Sequence, residues 1–142
     1  MRRLAVFLVG WCLALSGCTV FGVTVFSGDV SETATTTSSG TDPVSGLRWI
    51  TVGELPTDGR RVYHLIGTDG PFDYAKDGST FRNLEGILPD RAAGYYREYT
   101  VPTPGSSDRG ARRIVCGGKP RTSTADCYYT ADHYDSFRRI KP

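Results

Sequence analysis

At 142 residues, 39% apolar and 11% aromatic, the chain is neither a disordered tail nor a large enzyme, and has room for one small globular domain. Seventeen Gly and eight Pro make that domain rich in turns, with a modest core. A net charge of +2 hides an asymmetry: from Asp90 onward ten Arg/Lys face six Asp/Glu, whereas Pro43 to Pro89 has five against six. The basic C-terminal half suits an anionic partner.

In chain order, Arg2 and Arg3 precede an apolar run from Leu4 to Leu15, the layout of an export signal. Leu15-Ser16-Gly17-Cys18 resembles a lipobox, where bacterial lipoproteins are lipidated on Cys and cleaved before it. Residues 1–18 are therefore read as a lipoprotein-type signal peptide, with Cys18 as the lipidated residue. The rival is an uncleaved anchor, because the apolar stretch continues to Phe26 and is long enough to span a bilayer. Either reading places the domain outside the cytoplasm. Residues 19–46 then form a tether: from Ser27 to Gly46 half of the positions are Ser or Thr, and Gly40, Pro43 and Gly46 break regular structure.

The domain is expected over residues 47–142. Arg48 to Val52 reads as an edge strand. Thr57 or Asp58 can cap a helix with Val62, Leu65 and Ile66 on one face and Gly67 as its stop. His64, between apolar helix positions, reads as a packing or surface histidine. Thr68 to Asp73 and Lys76 to Gly78 are turn signals. From Phe81 the chain is strand-rich to its end, through the strand of Glu98, Arg112 to Cys116, Cys127 to Ala131 and Ser136 to Ile140. The expected fold class is α+β: one N-terminal helix packed on one face of a small antiparallel sheet, with the other face open.

Of the four cysteines, Cys12 and Cys18 belong to the N-terminal segment. Cys116 and Cys127 flank a short loop between two strands and are expected to form a disulfide. A metal site is the weaker alternative, because neither His64 nor His133 stands at a ligand-like spacing from them.

Gly94-Tyr95-Tyr96-Arg97-Glu98-Tyr99-Thr100-Val101 carries a single carboxylate at its centre. Arg109, Arg112 and Arg113 follow, then His133 and Tyr134. Glu and His can move protons, and guanidiniums can hold charge on phosphorus oxygens, so these are the components of metal-free phosphoryl transfer. Taken alone, Glu98 and the arginines are more simply a solvated cross-strand ion pair.

The wider pattern decides between them. TDGPFDYAKDG, FRNLEGILP, YYREYTVPTPG, RGARRIV and YYTADHY follow one another in an order and near-spacing that resembles the secreted guanyl-specific ribonucleases of the Streptomyces type, in the barnase-like microbial ribonuclease group. The likeness runs from about Leu47 to Ile140. It implies an exported endoribonuclease that cuts single-stranded RNA 3′ to guanosine through a 2′,3′-cyclic phosphate, without a metal or other cofactor. By the same resemblance Glu98 is the general base and His133 the general acid. Arg109 and Arg113 hold the phosphate, and the Tyr134 hydroxyl touches one of its oxygens. Arg112 alternates to the opposite face.

Guanine would be read by Glu85, whose carboxylate accepts N1–H and N2–H, by backbone N–H groups of Asn83 and Leu84 at O6, and by stacking on Phe81. The loop departs from the family pattern at Arg82 and Leu84, where Gln and Arg are commoner. Thr51 stands where relatives carry a cysteine bridged to the C-terminus. The chain is expected to act as a monomer on RNA, and the family admits a barstar-like inhibitor. The alternatives are a non-catalytic surface lipoprotein with the same fold, or a toxin domain with the same chemistry.

Overall fold

The computed structural model describes residues 40–142. The signal peptide, Cys18 and the tether up to Ser39 lie outside the described residues. Within them the elements run β1 (Trp49–Thr51), a 3-10 turn (Val52–Glu54), α1 (Thr57–Thr68), β2 (Ser79–Thr80), β3 (Tyr96–Thr100), β4 (Arg113–Gly117), β5 (Asp126–Thr130) and β6 (Arg138–Lys141).

Helix α1 forms because Gly59, Val62 and Ile66 recur at helical spacing and bury one stripe. Its ends differ from expectation. Thr57 is the first helical residue, not a cap, and the capping position is Pro56, which has no side-chain oxygen to offer. The Arg60 guanidinium instead ties down the chain that enters the helix, donating to the carbonyls of Gly53 at 3.2 Å and Leu55 at 2.6 Å. The stop falls two residues past Gly67, at Asp69, whose φ of 61° turns the chain left-handed, and Gly70 N–H closes on the Leu65 carbonyl at 2.8 Å.

The sheet has six strands in the order β1-β6-β5-β4-β3-β2. Strands β2 to β6 are antiparallel neighbours, but β1 pairs with β6 in parallel, so the sheet is mixed rather than wholly antiparallel. The reason is the route of the chain. β1 hands over to the helix, the following strands fill the sheet from its far edge inward, and β6 arrives beside β1 running the same way. β1 is an edge strand, as its sequence predicts.

Alternation divides the side chains between two faces. Tyr99, Ile114, Cys116, Cys127 and Tyr129 meet Val62 and Ile66 of α1 in the main core. Tyr96, Val115 and Tyr128 point the other way and are covered by Phe81, Leu88 and Phe137 from the loops. The second face is therefore only partly open, since a smaller core occupies its Tyr128 side. Gly117 closes that side: a Cβ there would lie 2.2 Å from the Tyr95 ring, whose hydroxyl donates to Asp126 at 2.9 Å.

The folded chain reaches back past Leu47. Thr41 bridges Arg48, and the buried Asp42 accepts from the Ser45 N–H at 3.0 Å and pairs with Arg139 at 3.7 Å. Burial opposes ionisation of Asp42, but the Ser45 hydrogen bonds and Arg139 hold its carboxyl below the usual range. Arg139 in turn pairs with Asp126 at 2.8 Å and lies over the Tyr128 ring at 4.8 Å, tying the start of the domain to β5 and β6.

Cys116 and Cys127 are directly opposed on β4 and β5 and form a disulfide across eleven residues. Replacing both by Ala is expected to lower unfolding free energy by about 3 kcal/mol while leaving the fold intact. Urea titration of the two proteins checks this, and a loss under about 1 kcal/mol would mean that the bridge does not constrain the unfolded chain as the entropy model requires.

Candidate active site

The cross-strand register assembles the site. Glu98 opposes Ser79 on β2 and Val115 on β4, and Thr100 opposes Arg113, so all lie on the face turned away from the helix. Arg112 precedes β4 and lies outside this set. Three donors converge on the Glu98 carboxylate. Ser79 Oγ donates to Oε1 at 3.3 Å, Arg109 Nη2 stands 3.6 Å from the same oxygen, and the Tyr134 hydroxyl donates to Oε2.

Arg109 is aimed by its loop. Asp108 Oδ1 accepts from the Ser106 hydroxyl at 2.6 Å and the Gly110 N–H at 2.8 Å, and Gly110 turns the chain at φ 59°. The guanidinium then lies across Thr100, donating to Oγ1 through Nε at 3.0 Å and Nη2 at 2.8 Å. Arg113 is buried. Its Nη1 donates to the carbonyls of Arg109 at 3.2 Å, Gly110 at 2.8 Å and Arg112 at 2.8 Å, so one guanidinium braces the turn that presents the other. Its Nε is buried without a hydrogen-bond partner.

His133 and Tyr134 sit on a turn in which both residues have positive φ, 58° and 79°. Side chains with a Cβ adopt this conformation only where neighbours hold it. Here the His133 N–H donates to the Ala111 carbonyl at 3.0 Å and the Tyr134 N–H to Thr130 Oγ1 at 3.2 Å. Thr130 donates to Asp132 at 2.8 Å, and Asp132 also accepts from the Ser136 N–H at 2.9 Å. His133 is exposed, its ring 4.9 Å from that of Tyr134. Burial, together with the hydrogen bond to Glu98 and its negative charge, pushes the Tyr134 phenol up to about 12 against the pull of Arg113. Tyr134 therefore stays a donor at ordinary pH. Its hydroxyl, expected at a phosphate oxygen, is directed at Glu98.

The residues expected to read the base line one shallow cavity of about 160 Å³ whose wall includes Glu98 and Tyr134. Phe81 forms its floor, 5.1 Å from the Tyr134 ring. Asn83, at φ 51°, clamps the loop: Nδ2 donates to the Leu88 carbonyl at 2.8 Å and Oδ1 accepts the Leu88 N–H at 3.1 Å. That commits the Asn83 side chain to the loop and leaves base contacts to the main chain. Leu84, 81% exposed, and Glu85 stand at the rim.

Glu98, Arg109 and Tyr134 thus gather beside the 81–85 loop, with Arg113 behind them and His133 adjoining through the Tyr134 ring. Sequence reasoning missed Ser79, Thr100, Thr130 and Asp132. The Thr130-x-Asp132 pairing with Ser136 is a local turn pattern and was legible, whereas Ser79 and Thr100 matter only through register. Among the described residues no group of three or more His, Cys, Asp or Glu is placed to hold a metal ion.

A carboxylate, a histidine and two arginines beside a loop cavity, on an α+β domain with one helix, define a small nuclease of the microbial ribonuclease type. Residues 37–141 match the ribonuclease family model, and the chain belongs to that family. It is 49% identical over 94 residues to guanyl-specific ribonuclease St of Saccharopolyspora erythraea, covering 66% of this chain and 88% of that one. It is 45% identical to guanyl-specific ribonuclease Sa of Kitasatospora aureofaciens over 97 residues, 68% of this chain and 95% of the relative. Ribonuclease Sa2 solved with guanosine-2′-cyclophosphate superposes with a TM-score of 0.61 at 41% identity, over 68% of this chain and 97% of Sa2.

The turn carrying His133 generates a pH prediction. Burial works against the Asp132 anion, but hydrogen bonds from Ser136 and Thr130 outweigh it and hold the carboxyl below its ordinary value. A depressed folded pKa contributes stability that is fully present above the unfolded value of about 3.9 and is lost as pH falls through the folded one. Asp132→Asn should therefore be less stable than the parent at pH 6 and show a shallower loss below pH 4. Parallel denaturant curves that keep the same gap at both pH values would show that the Asp132 charge does not hold the turn.

Proposed function

We propose that this protein is an exported endoribonuclease that cuts single-stranded RNA on the 3′ side of guanosine. The observation that carries this is the position of Glu98, between the cavity walled by the 81–85 loop and the cluster of Arg109, Arg113 and His133. RNA supplies its own nucleophile, so the protein needs only a base, an acid and fixed positive charge. Glu98 takes the proton of the guanosine 2′-OH, whose oxygen attacks phosphorus. His133 gives a proton to the departing 5′-oxygen, and the product is a 2′,3′-cyclic phosphate. Water then opens the ring with the two roles exchanged, leaving a 3′-phosphate. Arg109 and Arg113 stabilise the charge on the phosphorus oxygens. Tyr134 orients Glu98 and borders the phosphate.

In this reading Glu85 accepts both guanine donors and main-chain N–H groups of Asn83 and Leu84 meet O6, while Phe81 underlies the base. Adenine lacks the N1 proton and reverses the polarity at position 6, so groups in the cavity would go unpaired. Ribonuclease Sa2 has been solved with guanosine-2′-cyclophosphate, which supports transfer of this chemistry to the present site. The test is hydrolysis of GpC and ApC in excess EDTA. GpC should be cut faster, with guanosine 2′,3′-cyclic phosphate appearing first and a 2′-O-methyl analogue untouched. Glu98→Ala and His133→Ala should each slow the reaction by about 10²–10⁴, and Glu85→Gln should narrow the GpC-to-ApC ratio by about 10-fold. A His133→Ala rate equal to the parent's would remove it as the general acid.

Export is supported by the Cys116–Cys127 disulfide, which belongs in an oxidising compartment. We read residues 1–18 as the export signal and Cys18 as the lipid-bearing anchor. The reading needs no barstar-like inhibitor. The mature parent should begin at a lipid-bearing Cys18, and Cys18→Ala should abolish the lipid and block cleavage. A parent that itself keeps its first 17 residues and carries no lipid would establish an uncleaved anchor instead.

A further inference from the structure

We infer that the guanine cavity opens into a basic track that binds the RNA upstream of the cut, a reading that rests on the proposed ribonuclease function. Beyond the 81–83 segment lies a second cavity of about 330 Å³, which shares Thr80 to Asn83 with the base cavity and carries Arg82 and Arg91 on its wall. Through the 92–94 segment it adjoins a third, of about 450 Å³, where every charged residue of the wall is a cation: Arg97, Lys119 and Arg121. The only carboxylate in the walls of the two is Asp90.

The cations differ in how free they are. Arg121 is partly neutralised by Asp69 at 3.2 Å, and Arg97 donates to the Gly78 carbonyl at 3.2 Å. Arg91 donates to its neighbouring carbonyl at 3.1 Å and lies 5.7 Å over the Tyr95 ring, with no carboxylate bonded to it. Lys119 is exposed at the hairpin between β4 and β5. Tyr95, half-buried, lines the third cavity and offers aromatic surface beside the cations, whereas Tyr96 in the second is buried in the smaller core. That combination suits single-stranded nucleic acid, whose phosphates meet the cations while bases lie on rings.

Polarity along β3 fixes which end of the RNA runs there. Arg109 and Arg113 gather at the Thr100 end of the strand, Glu98 lies at its middle, and the basic track starts at Tyr96 and Gly94. The leaving nucleotide must lie beside His133, which protonates its oxygen. The track borders the base loop on the opposite flank, so it is reached from the guanosine 5′ side. Its cations are an addition to the cleavage site, not part of it.

The test compares the full chain with Arg91→Gln/Lys119→Gln, two exposed positions outside the base cavity. Three substrates are used: GpC, the 5′-extended UpUpUpGpC, and the 3′-extended GpCpUpU. The parent should cut the 5′-extended RNA with a kcat/KM about 10-fold above GpC, and the double variant should lose that gain while cutting GpC and GpCpUpU as before. The gain should fade with added salt, and the variant should show a salt slope shallower by about 1–2. A second readout needs no activity: fluorescence anisotropy with the 2′-O-methyl form of UpUpUpGpC, which should bind the variant more weakly at low salt. Absence of GpC cleavage would defeat the proposed function, while the anisotropy arm would still decide the track. Equal losses on all three substrates, a loss confined to GpCpUpU, or unchanged anisotropy would each overturn the track.

Discussion

The site depends on where its positive charge is buried. Arg113 is almost wholly enclosed, and an enclosed cation is tolerated only when its N–H groups find acceptors. Three carbonyls of the 109–112 turn serve one of its nitrogens, which fixes the turn that presents Arg109. Arg109 then pairs with the one carboxylate, Glu98, so the two guanidiniums leave this group one negative charge short of neutrality even before His133 is counted. A phosphodiester supplies that charge. Because the arginines are held before substrate arrives, little reorganisation is left for the moment when charge grows on phosphorus.

The rest of the fold is arranged to keep this cluster rigid at the edge of a core. On one face of β3 and β4, Tyr99, Ile114 and Cys116 pack under the helix. On the other, Tyr96 and Val115 fall in the second core, while Glu98 and Arg113, two residues along each strand, face the site. Strained backbone collects at the rim. Asn83, His133 and Tyr134 are three of only four residues other than Gly with positive φ among those described. Each is held by a side-chain or main-chain bond from a neighbouring element: Asn83 by Leu88, His133 by Ala111 and Tyr134 by Thr130. The cost of these conformations falls on loops that the cores can brace.

How much was legible in the sequence follows from how local each signal is. Alternation in Tyr96 to Val101 places Glu98 opposite in sense to Tyr99, and the same rule separates Arg113 from Arg112. The disulfide was legible because two cysteines flank one hairpin. The parallel pairing of β1 with β6 was not, since it depends on the order in which strands fill the sheet. Ser79 and Thr100 are ordinary strand residues until register sets one against Glu98 and lays Arg109 across the other. The helix start was misplaced for a different reason: the capping position falls on Pro56, and Arg60 fixes the entering chain through the Gly53 and Leu55 carbonyls. The role of Tyr134 was only half legible, because burial and the nearness of Glu98, not its residue type, aim its hydroxyl.

Selectivity and affinity rest on different parts of this surface. The base cavity is shallow and its rim carries an exposed Leu84, so a single nucleotide finds few contacts there. In the proposed reading it offers discrimination, because a carboxylate and main-chain donors punish the wrong base more than they reward the right one. Holding a long chain is a different task, and diffuse positive charge performs it without regard to sequence. Four of the ten cations from Asp90 onward, Arg91, Arg97, Lys119 and Arg121, line the cavities on the flank of β3 away from Arg109 and Arg113. On the proposed track, a chain gripped there would move until a guanine reached the cavity, raising the rate of finding the bond without changing which bond is cut.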